Sequence, residues 1–511
     1  MKTKIYAFFA VLLAAFAASS CSLEENPEYF VNKKQFYKNR EQCEAAVNAC
    51  YNQLKNIYTF RMLTLTDAHS DIIYEAAPTV TEARLELSPA QPGGGEDIWQ
   101  RCYQMIMYAN SAIAGIETSP ISDEEKKPLL AETVIMRAFH YYLLTSFWGD
   151  VPFYTEDVAT TEIMNRITRL PRMSAVETRR YLIEELNEYV DYLPQIRTSE
   201  NRGNRAGAAV GLMLIGKMAM WNAAKDTDAP SEDYWWDIAL DALKRLQGIY
   251  GELNQYPLED IMFRNKNTRE SIFEVQHSYT SGGVIYTSNL ACVCMPYQNT
   301  AESGTNVFDG VEVEELGNDA NVWTPARPNV YFCSGLQTRG SDDLRAAINM
   351  AWEYGGKEFK SVNTRPWMGP KFWCPNMRDS YDSNNYKIFR YADALLMMAE
   401  CYHAKRDVEN MLACLNEVKT RAGLQPYAFR SWDRALTEIQ DERARELFGE
   451  FQRKFDLVRW GIWYSRVSEI NDYQELRMNI RPCHEYLPIP DKQVTYSGYM
   501  LDNKEYNKYG M

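Results

Sequence analysis

The chain has 511 residues, with 55 Lys+Arg against 69 Asp+Glu, a net charge of −14, 46% hydrophobic residues and 13% aromatic ones. This content fills a large core, which excludes intrinsic disorder, and it fits neither a collagen, a coiled coil nor a multi-pass membrane protein. The acidic balance repels phosphate, so no nucleic-acid partner is expected.

At the N-terminus, Lys2 and Lys4 precede an apolar run from Ile5 to Ala18. The run is too short to span a bilayer comfortably and ends in small residues, Ala17 to Ser20. This pattern predicts a signal peptide over 1–20. A cysteine directly after such a run, Cys21, resembles a bacterial lipoprotein signal, with Ala18 where Leu is usual. Cys21 is then the lipidated first residue of the mature chain. Residues 21–35, acidic at Glu24 and Glu25 and broken at Pro27, form its tether. The other cysteines are scattered and none forms a CxxC pair, so they are expected to be small buried residues, not a disulfide scaffold or a zinc site.

Next comes a loop-rich segment, 62–98, holding Asp67, His69, Asp71, Tyr74 and Gly93-Gly94-Gly95. Helical spacing follows over 124–147, where Leu130, Val134, Ala138, Tyr141 and Tyr142 recur on one face. Further helices are expected at about 172–193, 205–224 and 234–249. Ser271 to Gln276 alternates like a short strand. Between 279 and 388 helical periodicity fades and glycines, prolines, Trp323, Trp352, Trp367 and Trp373 accumulate. So long a loop in a compact body points to function. Tyr391, Leu395, Met398, Ala399 and Tyr402 then mark a helix, Val408 to Leu415 its partner, and 434–449 another. Helix pairs joined by short turns predict TPR-like packing with divergent repeats.

Chemical motifs are few. Gly211 and Gly216-Lys217 approach a P-loop, but Met218 replaces the hydroxyl and the intervening residues are apolar, so close helix packing explains the glycines better. Asp226, Asp228, Glu232 and Asp233 offer oxygen ligands for calcium, against the simpler reading of a solvated acidic loop. No histidine pair has metal-ligand spacing, and there is no GxSxG elbow. From Asp441 to Arg459 acids and arginines alternate at spacings of three and four, including Glu442, Arg443, Glu446, Glu450, Arg453 and Asp456. Such pairing depresses carboxylate pKa values, which suits an ion-pair network and not a general acid.

Several stretches together resemble the SusD/RagB family. They are Ala131-Glu132 through Arg137-Ala138 to Phe147-Trp148-Gly149-Asp150-Val151-Pro152, Arg390-Tyr391-Ala392-Asp393, Leu415-Asn416 to Arg421-Ala422-Gly423, Glu442-Arg443 to Arg459-Trp460-Gly461, and Leu487-Pro488-Ile489-Pro490. Lys419 stands where the family usually has Arg. Trp99, Tyr103, Ile106 and Asn110 resemble a structural helix of the family. The resemblance implies a mainly α fold, with TPR-like helix pairs packed against a loop-rich region with short strands. It implies one domain over 36–511, with N-terminal helices to about 250, the insertion at 279–388 and C-terminal helices from 389.

The resemblance also implies a role without catalysis or cofactor, calcium being left open. The expected protein is an outer-membrane surface lipoprotein that captures oligosaccharide and passes it to a SusC-like TonB-dependent transporter. A peptide-binding protein of the same fold and, further off, an all-α glycoside hydrolase are the alternatives. Family sites lie on loops of the N-terminal part and the insertion. This points to Asp71, Tyr74, Tyr297, Gln298, Trp323 and Arg327, with Trp352 and Trp367 as further candidates. Sugars suit such residues, because their C–H faces stack on aromatic rings and their hydroxyls need polar partners.

Overall fold

The computed structural model describes residues 36–196, 205–280, 283–295, 298–300, 306–308, 311–312, 322–323, 325–354, 357–358, 366–374 and 377–511. The expected signal peptide, Cys21 and the tether lie outside these residues, as does Tyr297.

The helices of ten or more residues are α1 Arg40–Ala49, α2 Gly95–Glu117, α3 Asp123–Trp148, α4 Ala175–Tyr189 and α5 Ala208–Lys225. They continue with α6 Tyr234–Tyr250, α7 Tyr391–Ala404, α8 Val408–Arg421 and α9 Trp432–Glu446. Each packs on its neighbour in sequence from α1 to α8, so the chain builds a continuous helical array. The array runs on across the gap between α6 and α7, which pack together although 140 residues of chain separate them.

Local chemistry sets the helix ends. Ser122 and Glu125 form a capping box at the start of α3, and Gly149, at φ +68°, stops it. The sequence predicts one apolar face on α3. Instead every residue from Leu129 to Trp148 is buried. α2, α4 and α5 cover α3 from several sides, so it is a central helix and not a surface one. α5 is buried in the same way. A Cβ on Gly211 would lie 3.0 Å from Val190 and one on Gly216 would lie 3.0 Å from Leu243, which accounts for the near P-loop as close helix contact. All the described cysteines are buried and unbridged.

Four short strands fix how the loop-rich excursion is held: β1 Ile73–Glu75, β2 Ser271–Val275, β3 Ala326–Pro328 and β4 Tyr386–Arg390. β2 pairs antiparallel with β4, Tyr386 opposite Val275 and Phe389 opposite Phe273. The excursion therefore leaves and re-enters the array at one zipped junction. β1 pairs with β3, Tyr74 opposite Arg327, and so ties the excursion to the N-terminal loops.

Two further contacts close the molecule. Trp148 Nε1 donates to the Pro488 carbonyl at 3.0 Å, and Leu487 N–H donates to the Phe147 carbonyl at 2.7 Å. The end of α3 and the Leu487-Pro488-Ile489-Pro490 segment thus clasp each other.

The charged stretch of α9 and residues 450–459 is buried, and its partners correct the expected pattern. Among the pairs, only Glu442–Arg445 and Asp456–Arg459 are local at i, i+3. Glu446 accepts instead from Arg345 at 2.7 Å, Arg390 at 3.0 Å and Arg421 at 2.6 Å. Glu270 accepts from Arg390 and Arg421, and Glu450 from Lys371 and Arg390. Glu446 ends α9, Glu450 lies just past it and Glu270 just before β2, while the excursion, β4 and α8 bring cations to them. Lys419 keeps the charge of the arginine it replaces and donates to Glu438 at 2.6 Å.

These partners depress the carboxylates. Burial pushes Asp456 up, but Arg443 and Arg459 outweigh it and hold the group at about 2. A folded value below the unfolded value of about 3.9 stabilises the fold above pH 4, and that stabilisation disappears as pH falls toward 2. We expect the melting temperature to drop steeply between about pH 4 and pH 2. An Asp456→Asn variant, measured by calorimetry across that range, should lose part of the slope; an unchanged slope would refute the assignment.

Candidate functional site

Among the described residues of the loop-rich excursion, the two most exposed large aromatic rings are those of Trp323 and Tyr286. Trp323 is 51% exposed and Tyr286 is 52% exposed. Neither hangs free on its loop. Trp323 N–H donates to the Cys292 carbonyl at 2.8 Å, and its ring meets the Phe60 ring edge-on at 5.9 Å. Lys55 holds its ammonium 4.9 Å from the Tyr286 ring centre. Asn289, between the two supports, accepts the Phe60 N–H at 3.0 Å. The segment 286–292 and the short helices Leu54–Ile57 and Phe60–Leu65 thus hold both rings on one surface.

Beside these rings lies a shallow depression of about 200 Å³, floored by Phe60 and Ile98 and rimmed by Asn56, Arg61, Asp97, Arg101 and Asn289. The rim supplies both hydrogen-bond donors and acceptors. Gly94 lines the depression, and the preceding Gly93, at φ +58°, makes a turn where a Cβ would lie 2.6 Å from Glu82. This explains part of the glycine triplet: the chain must turn where a side chain does not fit.

The predicted residues divide. Trp323 is half-exposed. Tyr74 and Arg327 face each other across β1 and β3, each half-buried. Arg327 stacks its guanidinium on Trp367, 3.2 Å from the ring centre. Trp367 itself is 4% exposed, which corrects its expected role: it supports Arg327 from below and offers no ring face to a ligand. Trp352 is half-buried against the core, with Arg339 5.9 Å from its ring centre. Gln298 opens a strand paired with residues 306–308, on the excursion as expected.

Asp71 is the clearest correction. It is fully buried and accepts from Arg453 Nε at 2.7 Å, Arg453 Nη2 at 2.8 Å and Arg466 Nε at 2.9 Å. Burial pushes its pKa up, but the two guanidiniums overcome this and hold it below the ordinary range. Its carboxylate is spent on the scaffold.

Burial without a cation acts the other way on Glu75. It lies one residue along β1 from Tyr74, on the inner side, and is pushed up to about 7 while Thr64 donates to it at 2.6 Å. In the acidic loop weighed against calcium, Asp226 is committed: it accepts from Arg180 at 3.0 Å and Trp235 Nε1 at 2.8 Å. Among the described residues no group of three or more His, Cys, Asp or Glu is placed to hold a metal ion. Nor is any described helix long and apolar enough to cross a membrane.

Sequence reasoning missed Tyr286, Phe60 and Asn289. Nothing in their local sequence marks them, because their role depends on which segment lies alongside.

Two family descriptions match the chain. The one called "SusD family" covers residues 375–506, and the one called "Starch-binding associating with outer membrane" covers residues 45–196. The chain belongs to the SusD/RagB family. Curated relatives of this SusD/RagB chain include "SusD-like protein P25" of Formosa agariphila, 25% identical over 99% of both chains. A SusD-like protein of Bacteroides ovatus is 25% identical over 90% of this chain and 83% of its own. Solved structures share the fold. A SusD homolog from Bacteroides thetaiotaomicron superposes with a TM-score of 0.75 at 18% identity, covering 92% of this chain and 98% of its own. Surface glycan-binding protein A from the same organism, in complex with laminarihexaose, gives 0.70 at 20% identity over 90% of this chain and 98% of its own. The SusD/RagB motifs themselves fall on the clasp and the buried ion pairs, not on the aromatic face.

Proposed function

We propose that this SusD/RagB chain is a cell-surface lipoprotein that captures oligosaccharide on the Trp323–Tyr286 face. It is anchored in the outer membrane through Cys21, and it delivers its ligand, chemically unchanged, to a SusC-like TonB-dependent transporter. The observation that carries this reading is the pair of half-exposed rings braced beside a polar depression. Sugar C–H faces stack on such rings, and the hydroxyls meet Asn56, Arg61, Asp97 and Arg101. The laminarihexaose complex of the related glycan-binding protein supports the choice of ligand class. The family description that mentions the outer membrane supports the location. Tethering beside a transporter raises the effective concentration of ligand, which offsets modest intrinsic affinity.

The test is calorimetric titration of soluble protein lacking residues 1–21 with a panel of oligosaccharides, laminarihexaose among them. At about 1 kcal/mol per stacked ring, Trp323→Ala should weaken binding about fivefold, and the double variant with Tyr286→Ala about 25-fold. Both side chains are half-exposed, so the melting temperature should hold. Binding of peptides but of no glycan would replace the ligand class. Cleavage of the glycan by pure protein would end the non-catalytic reading.

A further inference from the structure

On another part of the molecule, the start of α4 and the end of α3 meet the C-terminal tail around a cavity of about 520 Å³. That volume falls within the range of small-molecule sites. It shares no lining residue with the depression beside Trp323. Its walls include Tyr486 and Tyr509, together with Arg172, Arg179, Lys225 and Lys508.

Arg179 is the unusual member. It is 1% exposed, yet it makes no ion pair among the described residues. Its Nη2 donates to the Thr145 carbonyl at 2.9 Å, and one face stacks on Trp221 at 4.6 Å. Its Nε–H has no acceptor. The other arginines buried to this degree behave differently: Arg345, Arg390 and Arg443 each hold two or more carboxylates. Those partners raise their pKa values, whereas burial lowers that of Arg179 to about 10.

Among the carboxylates around the cavity, Asp150 acts on Arg179 through its charge but forms no ion pair with it. Asp150 caps α4 by accepting the Ala175 N–H at 2.8 Å. Glu505 faces Arg172 at 4.0 Å, and Glu485 feels Lys225 and Lys454. A buried guanidinium fork with an unused N–H and no ion-paired carboxylate matches a planar carboxylate. Aromatic and polar walls around it leave room for a ligand larger than acetate.

We propose that this cavity is a second ligand site, which takes a small sugar acid with its carboxylate on Arg179. The ring lies toward Tyr486 and Tyr509, and Lys225 and Lys508 add long-range attraction. The site does not depend on the glycan face, so the two assignments stand or fall separately.

Galacturonate is the probe, with glucose, acetate and phosphate as comparators, titrated into the soluble wild-type chain by calorimetry. Galacturonate should bind with a dissociation constant of about 1 mM or tighter, and at least tenfold more tightly than any comparator. Equal binding of glucose would remove the carboxylate from the argument. Equal binding of acetate or phosphate would reduce the cavity to an adventitious anion site. No binding of galacturonate at about 20 mM would overturn the proposal outright.

Arg179→Met should lose binding at least tenfold while its melting temperature stays equal or rises, because an uncompensated buried charge is removed. A lower melting temperature with unchanged binding would make Arg179 structural and overturn the proposal. Lys225→Ala, at the wall, should weaken galacturonate about two- to fivefold. Trp323→Ala should leave galacturonate binding intact; its loss would show that the two sites are one.

Discussion

Glu446→Ala is expected to cost about 3–5 kcal/mol of folding stability, enough to threaten folding altogether. Glu446 is fully buried and shared by three guanidiniums, those of Arg345, Arg390 and Arg421. Arg345 keeps Asp343 and Glu442, and Arg390 keeps Glu270 and Glu450. The loss therefore does not leave any one cation bare. It leaves three like charges facing one another across a small void, without the anion that screened them. Glu446→Gln keeps the volume and two lone pairs, and should fall between wild type and alanine. Urea denaturation measures this through the midpoint at constant slope. A loss below about 1 kcal/mol, the value typical of exposed pairs, would contradict the reading. The exposed pair Arg245–Asp191 supplies that control, and Asp191→Ala should barely move the midpoint.

Asp71→Ala should be nearly as damaging, at about 3 kcal/mol or more, and without a direct effect on the ligand. The substitution strands Arg453, which is buried and otherwise has the Gln440 carbonyl at 2.8 Å. Arg466, half-exposed, can turn to water and suffers less. The contact joins residues 382 positions apart, so losing it loosens the N-terminal loop from the helix at Arg453–Arg459. Oligosaccharide affinity of the protein that remains folded should match wild type. Tenfold weaker binding with an unchanged melting temperature would return Asp71 to the binding site.

The array is the legible part. Apolar spacing places α4 to α9 close to their observed limits; in α4, α6, α8 and α9 the reason is that burial writes a 3.6-residue period into a helix with one wet face, whereas α5 and α7 are apolar on nearly every side. It misjudges α3, whose surroundings come from helices both before and after it and are invisible in its own window. The strand at Ser271–Val275 is legible in its alternating sequence although its burial does not alternate, but its partner Tyr386–Arg390 is not, since pairing joins segments more than a hundred residues apart.

The charged stretch shows the same limit more finely. Carboxylates among arginines suggest pairing within the helix; the structure brings Arg345, Lys371, Arg390 and Arg421 from elsewhere. At the candidate site, Trp323 is legible because a Trp among prolines is hard to bury. Asp71 and Trp367 have the right chemistry in the right loops and are nonetheless enclosed. A loop's composition says nothing about which of its side chains turn inward.

The β2–β4 ladder has a consequence for how such a protein diversifies. It brings the two ends of the excursion side by side, so the cost of closing that loop is met once, at the junction. Lengthening a closed loop adds little, about 0.6 kcal/mol for each doubling. Ligand-facing sequence can therefore be exchanged wholesale between such proteins while the helical frame stays intact. Beside the β1–β3 pairing, a condition on charge limits the exchange. A transplanted segment must bring cations equivalent to Arg345 and Lys371, or the recipient must lose the carboxylates of Glu442, Glu446 and Glu450 that await them. A graft between relatives that honours this charge matching should fold, and one that ignores it should not.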